Sequence, residues 1–123
     1  VVTARQKHLI RKYERTHRIL GKVAGRYIAA GYSVELNHST RVGAIGIVAR
    51  KGRQILAIDV ITEKSKLNIN FAKVLVEKAK LIKARPILFA YGFSWAEVPE
   101  GLRKFCEENG VKLRVARGLR GPE

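Results

Sequence analysis

The sequence predicts an α/β fold, a single domain with helices flanking a central mixed sheet in the order αβββαβαβ. Three observations carry this reading. Residues 4–30 and 69–84 repeat apolar side chains at helical spacing. Residues 44–62 alternate as two strands about a Lys51-Gly52 turn. The later strands each follow a helical segment, and a helical crossover returns the chain parallel to the strand before it.

In the first helix, Leu9, Tyr13, Leu20, Val23, Tyr27 and Ile28 recur at helical spacing, while Arg5, Lys12, Arg15, Lys22 and Arg26 fall largely elsewhere on the wheel. Gly21 and Gly25 interrupt the pattern, each at a cost in helix stability. They mark either a break or a close approach by another backbone. Gly31 suits the residue just past the helix end.

Residues 32–37 read as a short strand with Val34 and Leu36 on one face, and 38–43 as a polar connection. Strands over 44–50 and 53–62 then form a tight hairpin. Strand alternation puts Ile45 and Ile47 on one face of the first, and Leu56, Ile58 and Val60 on one face of the second. Gly46, Asp59 and Ile61 fall on the opposite faces.

Asn68 or Asn70 caps a helix to about residue 84, whose inner stripe is Phe71, Val74, Leu75, Lys78 and Leu81. Lys78 fits that stripe through its aliphatic stem. Pro86 opens a strand over 87–91. Ser94-Trp-Ala-Glu97 has capping-box spacing, but Pro99 follows too soon for a helix there. A turn is expected instead, then a helix over 99–109 and a last strand over 111–115. The domain spans residues 1–116, with a basic tail at 117–123.

Charge points to a partner. The 123 residues carry 25 Lys and Arg against 10 Asp and Glu, a formal charge of +15. Self-repulsion of that size opposes compaction, so such chains usually meet a polyanion. Nucleic acid is the expected partner. No segment is apolar for the roughly 18 residues that a membrane span requires, and no secretory pattern is visible, so a cytoplasmic protein is expected. The absence of Met, the sparse Asn and the many charges fit a thermophilic source.

Residues 1–30 hold eight cations and one acid, Glu14, and form the most basic stretch. The expected phosphate contacts are Arg5, Lys7, Arg11, Lys12, Arg15 and Arg18 on this helix, with Arg41, Arg50, Lys51 and Arg53 at the hairpin turns. Trp95, beside a turn, is the best candidate for stacking on an unpaired base, whereas Tyr13 fits the core better. Cys106 lies among Leu102 and Phe105 and reads as a buried structural thiol. Three scattered His and one Cys give no zinc spacing. His38, in a polar connection, reads as a solvated or backbone-bonded histidine rather than a general base.

The string Gly21-Lys-Val-Ala-Gly-Arg-Tyr-Ile-Ala-Ala-Gly-Tyr-Ser-Val34, the hairpin 45–61, the following helix and Arg85-Pro-Ile-Leu-Phe-Ala-Tyr91 resemble the restriction-endonuclease-like, or PD-(D/E)xK, nucleases. Archaeal Holliday-junction resolvases are nearest in character. The resemblance covers roughly residues 20–92. It implies a site in which two acids on adjacent strands hold Mg²⁺, and a lysine two residues after the second acid assists attack by water.

Asp59 matches the second acid. The first acid falls on Gly46 and the lysine on Ile61, and where a helix glutamate would assist stand Lys22 and Gly25. The resemblance thus implies a nucleic-acid-binding protein, DNA favoured over RNA, on a nuclease scaffold that has lost its catalytic set. It needs no cofactor, and a homodimer is implied by the relatives. Two alternatives stand. One is an active metal-dependent DNA endonuclease with a relocated set of Glu35, Asp59 and Lys64, the two acids holding Mg²⁺. The other is an RNA- or ribosome-associated structural protein.

Overall fold

The computed structural model describes residues 3–116, except the side chains of 11–17. The element order is α1 (Ala4–Ala29), β1 (Ser33–Thr40), β2 (Gly43–Lys51), β3 (Gln54–Ile61), α2 (Ile69–Leu81), β4 (Arg85–Tyr91), α3 (Glu100–Glu108) and β5 (Lys112–Ala116). Short 3₁₀ turns precede α2 and α3.

The five strands form one sheet in sequential order β1-β2-β3-β4-β5. β1, β2 and β3 pair antiparallel, and β4 and β5 add in parallel. The α/β class and mixed sheet are thus as the sequence predicts. Helical crossovers explain the parallel half, since a tight turn can only reverse a strand.

The sheet separates two cores. On one face, α2 and α3 cover Val48, Ala57, Ile61, Leu88 and Ala90, joined by Leu75, Leu102 and Cys106. On the other, α1 covers Ile47, Ala49, Leu56, Ile58, Ile87 and Phe89 with Leu20, Val23, Ala24 and Tyr27. β3 and β4 are therefore apolar on both faces, which is why they read as near-continuous hydrophobic runs.

α1 departs from the expected single helix. Its break lies at Arg18 (φ 44°, ψ −112°), three residues before Gly21. The side-chain amide of Gln6 donates to the carbonyl of Ile28 at 3.2 Å. On a continuous helix these residues would stand roughly 33 Å apart. The chain therefore doubles back at Arg18, and the arm before it lies against the arm after it. Gly21 and Gly25 are buried within the second arm rather than at the reversal. A Thr3–Gln6 capping box starts the first arm.

Strand parity also departs from expectation. Ile45 belongs to the α2–α3 core and Ile47 to the α1 core, so the two do not share a face. The change occurs at Gly46, opposite the left-handed residue Asn37 (φ 54°), where the β1–β2 register skips a pair. The β2–β3 ladder also ends beside it, at Ile47–Ile58. β1 runs on to Thr40, so His38 is a strand residue and not part of a loop. Asn68, rather than Asn70, caps α2 by accepting from the Phe71 amide at 3.0 Å. The Ser94–Glu97 box forms on a 3₁₀ turn ahead of Pro99.

Candidate nucleic-acid interface

Gly46 and Asp59 meet at the point where the β2–β3 ladder opens. The Gly46 amide donates to Asp59 Oδ1 at 2.8 Å, replacing the missing ladder bond with a side-chain acceptor. A Cβ at position 46 would lie 3.1 Å from Leu20 Cδ1, 3.2 Å from Asp59 Oδ1 and 3.3 Å from the Ile58 carbonyl. The position where the nuclease resemblance wants an acid is thus closed from both sides, by α1 and by Asp59 itself.

The other carboxylate oxygen is engaged from α2. Lys78 Nζ stands 2.6 Å from Asp59 Oδ2 and donates to the Ala44 carbonyl at 2.9 Å. Both residues are buried, Asp59 at 6% and Lys78 at 7% exposure. Each charge so far from water is tolerated because the other compensates it and both are hydrogen-bonded. Helical periodicity assigns Lys78 only a snorkelling stem and does not find this role. A cation at the centre of an apolar stripe, with one acid inside a buried strand, is the signal that the sequence offers.

Ile61, at the expected lysine position, is fully buried in the α2–α3 core. The relocated set is spread out. Glu35 lies on the edge strand β1, bound to His38 Nδ1 at 2.7 Å and to Arg50 at 3.5 Å. The strand registers place it two strands and two residues from Asp59, about 12 Å between backbones. Lys64 is exposed in the 3₁₀ turn after β3. Among the described residues, no group of three His, Cys, Asp or Glu is placed to hold a metal ion.

The acids, though not the cations, segregate by sheet face among the described residues. The α1 side carries Lys22 and Arg26 on the second helical arm, and register places Arg85, Lys112 and Arg114 on the same face of β4 and β5. The described acids lie elsewhere. Glu35 is on the opposite face of β1, Asp59 lies beneath α2, and Glu63 is in the connection into α2. Glu77 is on α2, and Glu97, Glu100, Glu107 and Glu108 are on or just before α3. A face that collects cations without acids concentrates positive potential, which is what a phosphate backbone requires.

The expected contact residues are only partly brought together. Arg5 and Lys7 are exposed on the first arm and Arg18 at the reversal. The side chains of Arg11, Lys12, Tyr13, Arg15 and His17, and the tail 117–123, lie outside the described residues. Lys51 donates to the Ala30 carbonyl at 2.8 Å and sits 5.4 Å from the Tyr32 ring centroid, so it caps the end of α1. Arg50 belongs to the α2 side with Glu35. Arg41 and Arg53 occupy opposite ends of β2, about 27 Å apart. Trp95 is half exposed, but it lies on the α3 side under Arg103, whose guanidinium is 5.6 Å from the ring centroid. It faces a groove with Glu100 and Glu107, away from the basic face.

Comparison with family models, with curated proteins and with solved structures finds no match to this chain. Among the described residues, no helix is long and apolar enough to cross a membrane.

Proposed function

We propose that this protein binds nucleic acid, DNA in preference to RNA, through its α1 face, and that the Asp59 site is structural rather than catalytic. The observation that carries the first part is the basic face, free of acids among the described residues, on a chain of formal charge +15. The second part rests on Lys78. Its ammonium is held by a carboxylate and a carbonyl oxygen, the ligand types a hard cation takes. The protein's own cation thus fills the place beside Asp59 that a metal-dependent nuclease would give to Mg²⁺.

The mechanism is electrostatic. Lys and Arg side chains neutralise phosphates and release condensed counterions, so affinity is largely independent of base sequence and falls with salt. The Asp59–Lys78 pair anchors α2 to the hairpin beneath that surface.

The test is a binding screen over duplex DNA, branched DNA, single strands and structured RNA, with and without Mg²⁺. Binding at low salt without cleavage is the expected result. Cleavage that disappears in Asp59→Ala would overturn the structural reading of the site. Tighter binding to structured RNA than to any DNA would move the protein to an RNA-associated role.

A further inference from the structure

A second feature of the basic face is a cavity at the end of the sheet away from the Asp59 pair. Its volume is about 190 Å³, and its walls include Tyr27, Gln54, Arg85, Gly110, Lys112 and Arg114. The three cations come from separate steps along the chain. Arg85 starts β4, pairing with Leu56, while Lys112 and Arg114 lie opposite Ile87 and Phe89. Strand alternation turns all three to the α1 face, beside Tyr27 near the end of the second arm of α1, and all three are exposed.

Among the described residues, no acid lines this cavity and none of the three cations has an ion-pair partner. Neutral donors accompany them. Tyr32 donates its hydroxyl to Gln54 Oε1 at 3.0 Å, which leaves the Gln54 amide nitrogen as the donating end of that side chain. Tyr27 packs edge-on to Tyr32, with ring centroids 5.6 Å apart. Burial raises the Tyr27 phenol above its usual pKa, against a smaller lowering by Arg114, so its hydroxyl is protonated at neutral pH and able to donate.

Size narrows the ligand. The cavity has the volume of roughly six liquid waters, below the range of pockets that enclose a whole small molecule, about 300 Å³ upward. It fits a phosphate group with part of a sugar, the rest of a nucleotide lying outside it. The two guanidinium groups, the ammonium and the neutral donors that line it are the partners that the acceptor oxygens of such a group take.

We propose that this cavity, between the end of α1 and the β4–β5 edge, is a phosphate-binding site that seats one phosphate group of a nucleic-acid strand. The strand as the source of that phosphate rests on the function proposed above. The affinity for phosphate itself does not. The shared chemistry covers a terminal monoester and an internal diester, and these are separable.

The experiment uses the full chain and an Arg85→Gln/Arg114→Gln variant, neither site being part of the buried core. Inorganic phosphate is titrated against ¹⁵N-labelled protein, with chloride at matched ionic strength as the control. Saturable shifts confined to the amides of Gln54, Arg85, Gly110 and Lys112 are expected. They should weaken by about tenfold or more in the variant, the loss of charged hydrogen bonds. Shifts spread evenly over the surface, or unchanged in the variant, would overturn the site.

A second arm compares 5′-phosphorylated with 5′-hydroxyl oligonucleotides. Preference for the phosphorylated strand, abolished in the variant, assigns a terminal phosphate. Equal affinity for both, weakened in the variant, assigns an internal one. Undiminished strand binding by the variant would remove the strand from this cavity while leaving the nucleic-acid reading intact. Localised phosphate shifts with no strand binding would keep the cavity and sink that reading.

Discussion

Lys78 reaches across from α2 to place its ammonium 2.6 Å from Asp59 Oδ2, nineteen residues earlier in the chain. The pair is the only ion pair among the described residues with both partners buried. It ties the helix to the opened end of the hairpin. Removing one partner leaves a buried charge uncompensated, at a cost of about 3–5 kcal/mol. Lys78→Met and Asp59→Leu should each lower stability by about that amount in urea unfolding. The double variant should lose much less than the sum, and strict additivity would show that the two residues do not act as a pair.

Gly46 gives a second expectation. Because a Cβ there meets Leu20, Asp59 Oδ1 and the Ile58 carbonyl, Gly46→Ala should destabilise by about 1–3 kcal/mol through overpacking. Restoring the nuclease pattern with Gly46→Asp and Ile61→Lys should therefore impair folding rather than create a metal site, since Ile61 is fully buried. A soluble, fully stable double variant that binds Mn²⁺ would contradict both statements.

Binding should respond to salt and to the face that is altered. If about five phosphates are neutralised on duplex DNA, log K against log salt should slope at roughly −4 to −5. Changing Lys22, Arg26 and Arg85 together to Gln should flatten that slope by roughly one unit for each phosphate no longer neutralised. The matched control is Lys73, Lys80 and Lys104, exposed on α2 and α3. Lys78 is unsuitable as a control because it is buried and paired. Equal weakening by the two sets would mean diffuse attraction rather than a defined face.

Glu35 should titrate below the ordinary carboxylate range. Its hydrogen bond from His38 is the main cause, with smaller contributions from the His38 charge and Arg50. A carboxyl depressed in the folded state adds stability above its unfolded pKa of about 4.3 and loses that stability as pH falls through the folded value. His38→Ala should raise the Glu35 titration midpoint, read by carbon NMR of the carboxyl. An unchanged midpoint would show that the hydrogen bond is not maintained in solution. With half of the side chain in water, the effect on unfolding should be small.

Cys106 should resist alkylation in the native protein. Burial pushes its thiol up to about 11, leaving little thiolate at neutral pH. Thiol reagents should modify it at the rate of unfolding, and rapid labelling of folded protein would show that the α3 core opens locally.

The element order and the inert placement of Cys106 were legible in the sequence alone. Each follows from a local period or from composition, which a chain displays without being folded. The excess of cations in residues 1–30 was equally visible. Four features were decided only by the tertiary structure. The reversal at Arg18 falls on a residue with no Gly or Pro signal, and it is supported by Gln6 meeting Ile28 across 22 positions. The parity change at Gly46 arises where one ladder skips a pair and the other ends, which regular alternation cannot foretell. Lys78 finds Asp59 because α2 crosses the hairpin there, and no local spacing links the two. Arg85, Lys112 and Arg114 gather beside Tyr27 because parallel register aligns strands separated by a helix. Local periodicity fixes which residues form an element and which face is apolar. The meeting of distant side chains depends on how those elements pack, and there the candidate sites were made.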